Sequence, residues 1–352
     1  MANLYMTGFE WDSIYELSVW DQWGFCTIQS DDVRSGNYAL RMYGSYASFS
    51  INPPIPAGVT CNEIYVQFAA KISHLDADIF HWYTCAGDTR LGHLNIAETG
   101  QLRLYMSSYN DTKVESSVLL AQGSARLQIS KWYVFELHIK IMEYYGSLEL
   151  RVDGNPDCTF TGTTCNILDR PDDFPLVGSL DRLYWAYTDA WMDDIIVNDS
   201  TGSFNNTWPG CLKVILLRPK DDGDSTQWTT STEGHNYDMV NEVPYDPTNY
   251  ISTTGIGDLD LYEFEELPSE AVDVMVVRGD AWCYKESGSA SQNRKLVFSM
   301  KPGMTVVTDS DAHDLSLSYL LVRHPFDYNP DTSTTFTKEE VNNLQAGIKS
   351  ST

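Results

Sequence analysis

Helical periodicity is missing from most of this 352-residue chain. No ten-residue segment of its first half keeps apolar residues on one helical face, so helix is expected to be nearly absent. Cations are also scarce. There are 49 Asp and Glu against 23 Lys and Arg, a formal charge of −26. The imbalance is uniform, with 26 acids and 12 bases up to Trp208 and 23 and 11 beyond it. Such a surface repels phosphate backbones and anionic lipid, which argues against nucleic acid and membrane as partners. The excess charge reads as a solubility device.

Other absences narrow the chemistry. Seven cysteines (Cys26, Cys61, Cys85, Cys158, Cys165, Cys211 and Cys283) cannot all pair within the chain, and no CxxC or Cys/His zinc spacing occurs. Reduced thiols are expected for most of them, with a Cys158–Cys165 bridge left open. The opening MANLYMTGFEWD lacks the basic segment and apolar run of a secretory signal, and no stretch approaches a membrane span. Synthesis and folding in a cytoplasm are the expectation. No GxSxG elbow and no Gly-rich phosphate loop is present, so nucleophilic and nucleotide chemistry lack a foothold and no cofactor is expected.

What the chain does have is β alternation. Residues 132–154 read WYVFELHIKIMEYYGSLELRVDG. Tyr133, Phe135, Leu137, Ile139 and Ile141 share one face, with Glu136, His138 and Lys140 on the other. After a turn, Leu148, Leu150 and Val152 alternate with Glu149, Arg151 and Asp153, ending on Asp153-Gly154. Two long strands with one apolar face need a second sheet to cover it, which predicts a sandwich. Segments 63–72, 79–85, 90–96, 101–106, 157–167, 181–187 and 191–199 supply further strands. Pro53, Pro54 and Pro56 with Gly58, and later Pro171 and Pro175, mark breaks.

Residues 200–210, STGSFNNTWPG, read as a link between domains 1–208 and 209–352. Beyond it, strands are expected at 212–219 (LKVILLRP), 272–279 (VDVMVVRG), 295–300 and 315–322, with a polar loop at 220–235. Thr337 and Glu340 fit a capping box, and Val341, Leu344 and Ile348 then share one helical face, predicting a helix of about three turns. The fold class expected is all-β: two tandem β-sandwiches, the second smaller and ending in one helix.

Several of these segments resemble a known family. GFEW, the hairpin ending VDG, and WMDDIIVND resemble a laminin-G-like or concanavalin A-like jelly roll. LRPKDDGDSTQW, NYDMVNEVPYDPTNYIS, GDLDLYEFEEL and NPDTSTTFTKEEVNNLQAGIK are similar to the domain that follows such jelly rolls in structural proteins of tailed bacteriophages. The resemblance implies a non-enzymatic virion protein, a head decoration or minor capsid protein assembled in the host cytoplasm. It would be a homo-oligomer partnered by the major capsid protein or tail proteins and by host surface glycan. A tail or fibre adhesin is the alternative, and a glycoside hydrolase the alternative of another class. Release by lysis would require neither a signal nor disulfides.

Candidate site residues follow from the same reading. In the stretch 258–263, the resemblance to jelly-roll glucanases sets Asp258 at the nucleophile position and Glu263 at the acid/base position. Asp258 is a side chain shorter than the family's glutamate, and retaining chemistry needs the two carboxyls roughly 5 Å apart. Charged residues that blunt an edge strand explain the stretch better. Asp221, Asp222, Asp224 and Ser225, and separately Asp309, Ser310, Asp311, His313 and Asp314, offer hard oxygens to calcium without matching an EF-hand loop. His81 and His93 can meet across strands, but no third zinc ligand is evident. His81-Trp82-Tyr83 and Tyr184-Trp185-Ala186-Tyr187 are the richest aromatic clusters, to be divided between core and sugar platform. No residue is assigned as catalytic, cofactor-binding or metal-binding.

Overall fold

A computed structural model of the chain describes residues 3–13, 23–51, 61–84, 89–109, 115–165, 180, 182–187, 189–286 and 294–352. The proline cluster from Pro53 to Gly58, the loop holding Pro171 and Pro175, and Cys85 lie outside the described residues. The fold is all-β and divides into two compact units, Met1–Val214 and Ile215–Thr352.

The first unit is a jelly-roll sandwich. Its strands are β1 (Asn3–Thr7), β2 (Trp23–Gln29), β3 (Ala39–Ile51), β4 (Glu63–Ile72), β5 (Ala77–Thr84), β6 (Thr89–Ile96) and β7 (Leu102–Tyr109). They continue with β8 (Glu115–Gln122), β9 (Trp132–Lys140), β10 (Gly146–Val152), β11 (Asn155–Gly162), β12 (Arg182–Tyr187) and β13 (Ala190–Asp199). One layer runs β11-β10-β9-β4-β13 with β1 beside β13; the other runs β12-β5-β6-β7-β8. The long β3 pairs with β13 at its start and with β12 at its end, so it belongs to both layers.

The hairpin forms as its alternation predicts. Leu137 pairs with Leu150 and Ile139 with Leu148. Tyr133, Phe135, Leu137, Ile139 and Ile141 are all buried. Asp153 and Gly154 take φ of 50° and 76°, the two positive values that a tight hairpin turn into β11 requires. Opposite lie Phe80, Trp82 and Trp185. Phe68 stands 5.2 Å from Phe135, 5.5 Å from Phe80 and 5.9 Å from Trp185, ring centre to ring centre, so the aromatics join the two layers. Each such fully buried ring contributes about 1.5–3 kcal/mol.

The outer face of β4, β9 and β13 departs from simple alternation. Glu136 and Gln67 are buried although they point away from the core. Gln67 accepts from Leu212 N (2.8 Å) and donates to Leu212 O (2.9 Å), Glu136 accepts from Gly210 N (2.7 Å), and Asp194 accepts from Val214 N (2.7 Å). Arg34 is paired with Asp194 and donates to Leu212 O. The backbone of residues 210–214 is thus satisfied by side chains rather than by a ladder. This corrects the strand expected at 212–219, which does not form; the strand β14 (Pro219–Thr226) lies instead in the stretch expected to be loop. Trp208, in the expected link, lies under the Arg151 guanidinium at 3.8 Å.

The second unit continues with β15 (Thr229–Thr230), β16 (Ile251–Ser252), β17 (Leu259–Phe264), β18 (Asp273–Val274), β19 (Val277–Cys283), β20 (Lys295–Lys301) and β21 (Val307–Thr308). The last elements are β22 (His313–Asp314), β23 (Leu320–Phe326), β24 (Phe336–Thr337), helix α1 (Lys338–Asn342) and β25 (Gln345–Ser351). The main sheet is ordered β14-β17-β25-β20-β21 with β22 also on β20, and three two-stranded ribbons pair β15 with β16, β18 with β24 and β19 with β23. Met300, Phe336, Val341 and Leu344 form a small core.

Two expectations are corrected here. The strand expected at 272–279 is split between β18 and β19, with Met275 and Val276 in neither. The capping box forms, with Thr337 Oγ1 accepting from Glu340 N and Thr337 N donating to Glu340 Oε2, but the helix is five residues long. Ile348 lies on β25, opposite Asp260 and Phe298. Hydrogen bonding to a strand on each side outweighs a 3.6-residue spacing that a single turn cannot propagate.

Candidate functional site: a charged aromatic face on the first sandwich

The outer face of β12, β5, β6 and β7 brings together His81, Tyr83, His93, Tyr105 and Tyr184. A bulge makes this possible. Between Asp78 and Phe80 the β5–β6 register shifts, leaving Ile79 as the extra residue. Strict alternation would point Asp78 inward with Phe80 and Trp82; the inserted residue turns it outward, onto the face of His81 and Tyr83. Asn95 then lies opposite Asp78, His93 opposite His81, Tyr105 opposite His93, and Tyr184 opposite His81 from the other side. Gly92, opposite Trp82, leaves room for the indole; a Cβ there would stand 2.4 Å from Trp82 Cζ2 and 2.5 Å from Tyr105 O.

Asp78 is the electrostatic centre. Asn95 Nδ2 donates to its Oδ1 at 2.9 Å, and His81 Nε2, His93 Nε2 and an Arg90 nitrogen stand 3.5, 3.7 and 3.7 Å from its oxygens. Burial would raise its pKa, but the His81 contact, the His93 charge and the Asn95 amide outweigh burial and hold the carboxyl down at about 2. It is therefore an ionised acceptor throughout the neutral range. Around it the rings pack edge and face. His93 is stacked on Tyr105 at 4.7 Å, His81 lies 5.6 Å from Tyr184, and Tyr83 meets Tyr184 edge-on at 6.0 Å. Tyr83, Tyr105 and Tyr184 are half-buried, and Leu119, beside Tyr105 on β8, is 48% exposed.

The aromatic clusters thus divide by face: Trp82 and Trp185 belong to the core, while Tyr83 and Tyr184 lie half-buried on the outer face with the buried His81 packed among them. Trp191, on the other layer, has Arg41 over its ring at 3.3 Å and Lys71 at 5.0 Å, and Tyr83 likewise carries Arg182 over its ring at 4.5 Å. A sheet face with half-buried rings around a fixed carboxylate and arginine suits a ligand with alternating apolar CH faces and hydroxyl groups. Sequence reasoning singled out His81, His93 and the two aromatic clusters. It missed Asp78, Asn95 and Tyr105, because only the bulge and the pairing bring them in.

The other sequence candidates behave differently. The β17–β25 register runs without a shift from Leu259 to Glu263, and Ser350 N continues the ladder by donating to Asp258 O (3.0 Å). Asp258 and Glu263, five residues apart, therefore point to opposite faces and do not flank one glycosidic bond. Asp260 between them is fully buried, its oxygens accepting from Gln227 N, Trp228 N, Asn236 Nδ2 and Tyr262 Oη. On β14 Asp222 is held by His235 and Tyr237 N, and Asp224 by Lys301, so these carboxylates form no common cage. In the acidic stretch 309–314, Asp314 is 79% exposed and paired with Lys295, while Asp309 and His313 converge on His324. Cys26, Cys61, Cys158, Cys165, Cys211 and Cys283 are free, and burial pushes the Cys158 and Cys165 thiols up to about 12. No helix among the described residues is long and apolar enough to cross a membrane.

No protein-family profile matches the chain, and no curated protein matches it. Solved structures similar to it include a carbohydrate esterase from the Shiga toxin-encoding bacteriophage phi24B, at 13% identity and a TM-score of 0.39 over 56% of this chain and 99% of that one. The binding domain of botulinum neurotoxin DC aligns at 10% identity and 0.33 over 88% and 91%, and the galectin LEC-6 of Caenorhabditis elegans at 16% and 0.28 over 43% and 96%. At these identities and scores no function passes to this chain from them.

Proposed function

We propose that this chain is a non-enzymatic structural protein of a phage particle that holds surface glycan through the face centred on Asp78. The observation that carries the glycan part is the convergence of Tyr83, Tyr105 and Tyr184 with Asp78, Asn95 and Arg90, all half-buried, on one outer sheet face. Rings supply apolar platforms for sugar CH groups, and the carboxylate, amide and guanidinium supply directional partners for hydroxyls. The virion part rests on the resemblance of the second unit to phage structural proteins. Many copies on a shell would turn weak single-site contacts into useful avidity. A head decoration or minor capsid role is favoured over a tail adhesin, and copy number separates the two. The opposite orientation of Asp258 and Glu263 counts against a glycoside hydrolase.

The test is a glycan array probed with the full chain and with Tyr105→Ala. Binding to a defined glycan class that drops about tenfold in the variant, roughly 1.4 kcal/mol, supports the reading. Binding to no glycan, or binding indifferent to Tyr105, Arg90 and Asp78 substitutions, overturns it. Quantifying the chain in purified particles tests the virion role: a copy number matching the icosahedral lattice indicates the head, a handful indicates the tail, and absence rejects both.

A further inference from the structure

In the second unit, Asp309, His313 and His324 each offer a ligand atom, and these atoms all lie within 4.8 Å of one another. They come from three places in the chain. Asp309 follows β21 and is fixed by its N–H donating to Phe298 O (2.9 Å). His313 is on β22, opposite Leu296 of β20. His324 is on β23, opposite Gly279 of β19. Phe298 lies at the centre of the arrangement: its ring is 5.7 Å from His313 and 6.3 Å from His324, and a Cβ on Gly279 would stand 2.5 Å from its Cδ1. The glycine lets the β19–β23 ribbon approach Phe298 closely, and that approach carries His324 to the other two.

The pairing is unfinished as a set of hydrogen bonds. His324 Nδ1 stands 2.8 Å from Asp309 Oδ2, within ion-pair reach, yet that oxygen makes no hydrogen bond of acceptable angle. His313 Nε2 is likewise buried without a hydrogen-bond partner among the described residues. The Asp309 and His324 side chains are only 11% and 13% exposed, so water satisfies them poorly. Buried polar atoms left this way mark an absent partner. A nitrogen and a carboxylate oxygen about 3 Å apart are also at the spacing of neighbouring ligands on a metal ion with bonds near 2 Å.

We infer that Asp309, His313 and His324 form a binding site for a divalent first-row transition metal, zinc(II) in the first instance. Two imidazole nitrogens and one carboxylate oxygen suit borderline ions, whereas calcium and magnesium favour all-oxygen sets. The calcium expectation for residues 309–314 is thereby replaced. Three protein ligands leave a coordination position for water or an outside donor. Bound metal would cross-link β20, through the β21–β22 segment, to the β19–β23 ribbon, so its occupancy is coupled to the folding of this unit.

The full chain, stripped with chelator and dialysed, is titrated with zinc(II), calcium and magnesium by calorimetry and thermal melting, and with cobalt(II) by visible absorption. The expected result is one zinc(II) per chain, a Tm raised by several degrees at about a hundredfold excess over Kd, and no response to calcium or magnesium. Cobalt(II) should develop ligand-field bands. His313→Gln and His324→Gln should each weaken zinc(II) binding about tenfold or more, while His81→Gln, in the first unit, should leave it unchanged. Wild-type protein that takes up no stoichiometric zinc(II) overturns the inference without recourse to a variant. Uptake equal in wild type and in a folded His313→Gln, His324→Gln double variant overturns it too, by assigning the metal to thiols or other histidines.

Discussion

His93 lies flat against Tyr105, ring centres 4.7 Å apart and planes 5° from parallel, while its Nε2 stands 3.7 Å from Asp78. One imidazole thus joins the aromatic and the charged halves of the proposed glycan face. Replacing Tyr105 by Ala removes the stack, and Tyr105→Phe keeps it. Thermal melts should register a loss of about 0.5–1.5 kcal/mol for Ala and less for Phe. Glycan affinity should follow the same order.

Asp78 gives the first unit a defined acid sensitivity. Its carboxyl titrates near 3.8 unfolded and about 2 folded, so the unfolded state binds the proton more readily between those values. The stabilisation is complete above about pH 4 and disappears as pH falls through 2. Allowing for its partial exposure, the contribution is about 1–2 kcal/mol. Denaturant unfolding of wild type and Asp78→Asn should therefore differ most at neutral pH and converge near pH 2. A constant gap would show that Asp78 acts through packing alone.

Gly92 should tolerate no side chain. The Cβ of Gly92→Ala would meet the Trp82 ring and the Tyr105 carbonyl, both parts of a packed layer. The expected cost is about 1–3 kcal/mol, read from urea midpoints.

The acidic strand of the second unit should answer as structure. Asp260→Ala strands four donors around a fully buried position and should cost about 3 kcal/mol or more. Glu263 is exposed, and Glu263→Gln should change stability by less than about 0.5 kcal/mol. Reducing-sugar release that is lost in Glu263→Gln would restore the hydrolase reading.

The amino-acid sequence by itself determined the β character, the central hairpin and the capping box. Each depends on neighbours two to four residues apart, and local periodicity reports those directly: Phe135, Leu137 and Ile139 fell on the core face as their spacing required. It placed the segment at 212–219 as a strand and the last helix over Ile348 because apolar spacing does not reveal a backbone's partners. In the fold the partners of 210–214 are the side chains of Gln67, Glu136 and Asp194, and those of Ile348 are β17 and β20.

Only tertiary structure decided the sites. Asp78 joins His81 and His93 because a single-residue bulge turns it over, and His324 reaches Asp309 and His313 because Gly279 admits the Phe298 ring. Both depend on contacts between strands far apart in sequence, where a shift of one residue reverses the face a side chain occupies. Composition carries no trace of that shift.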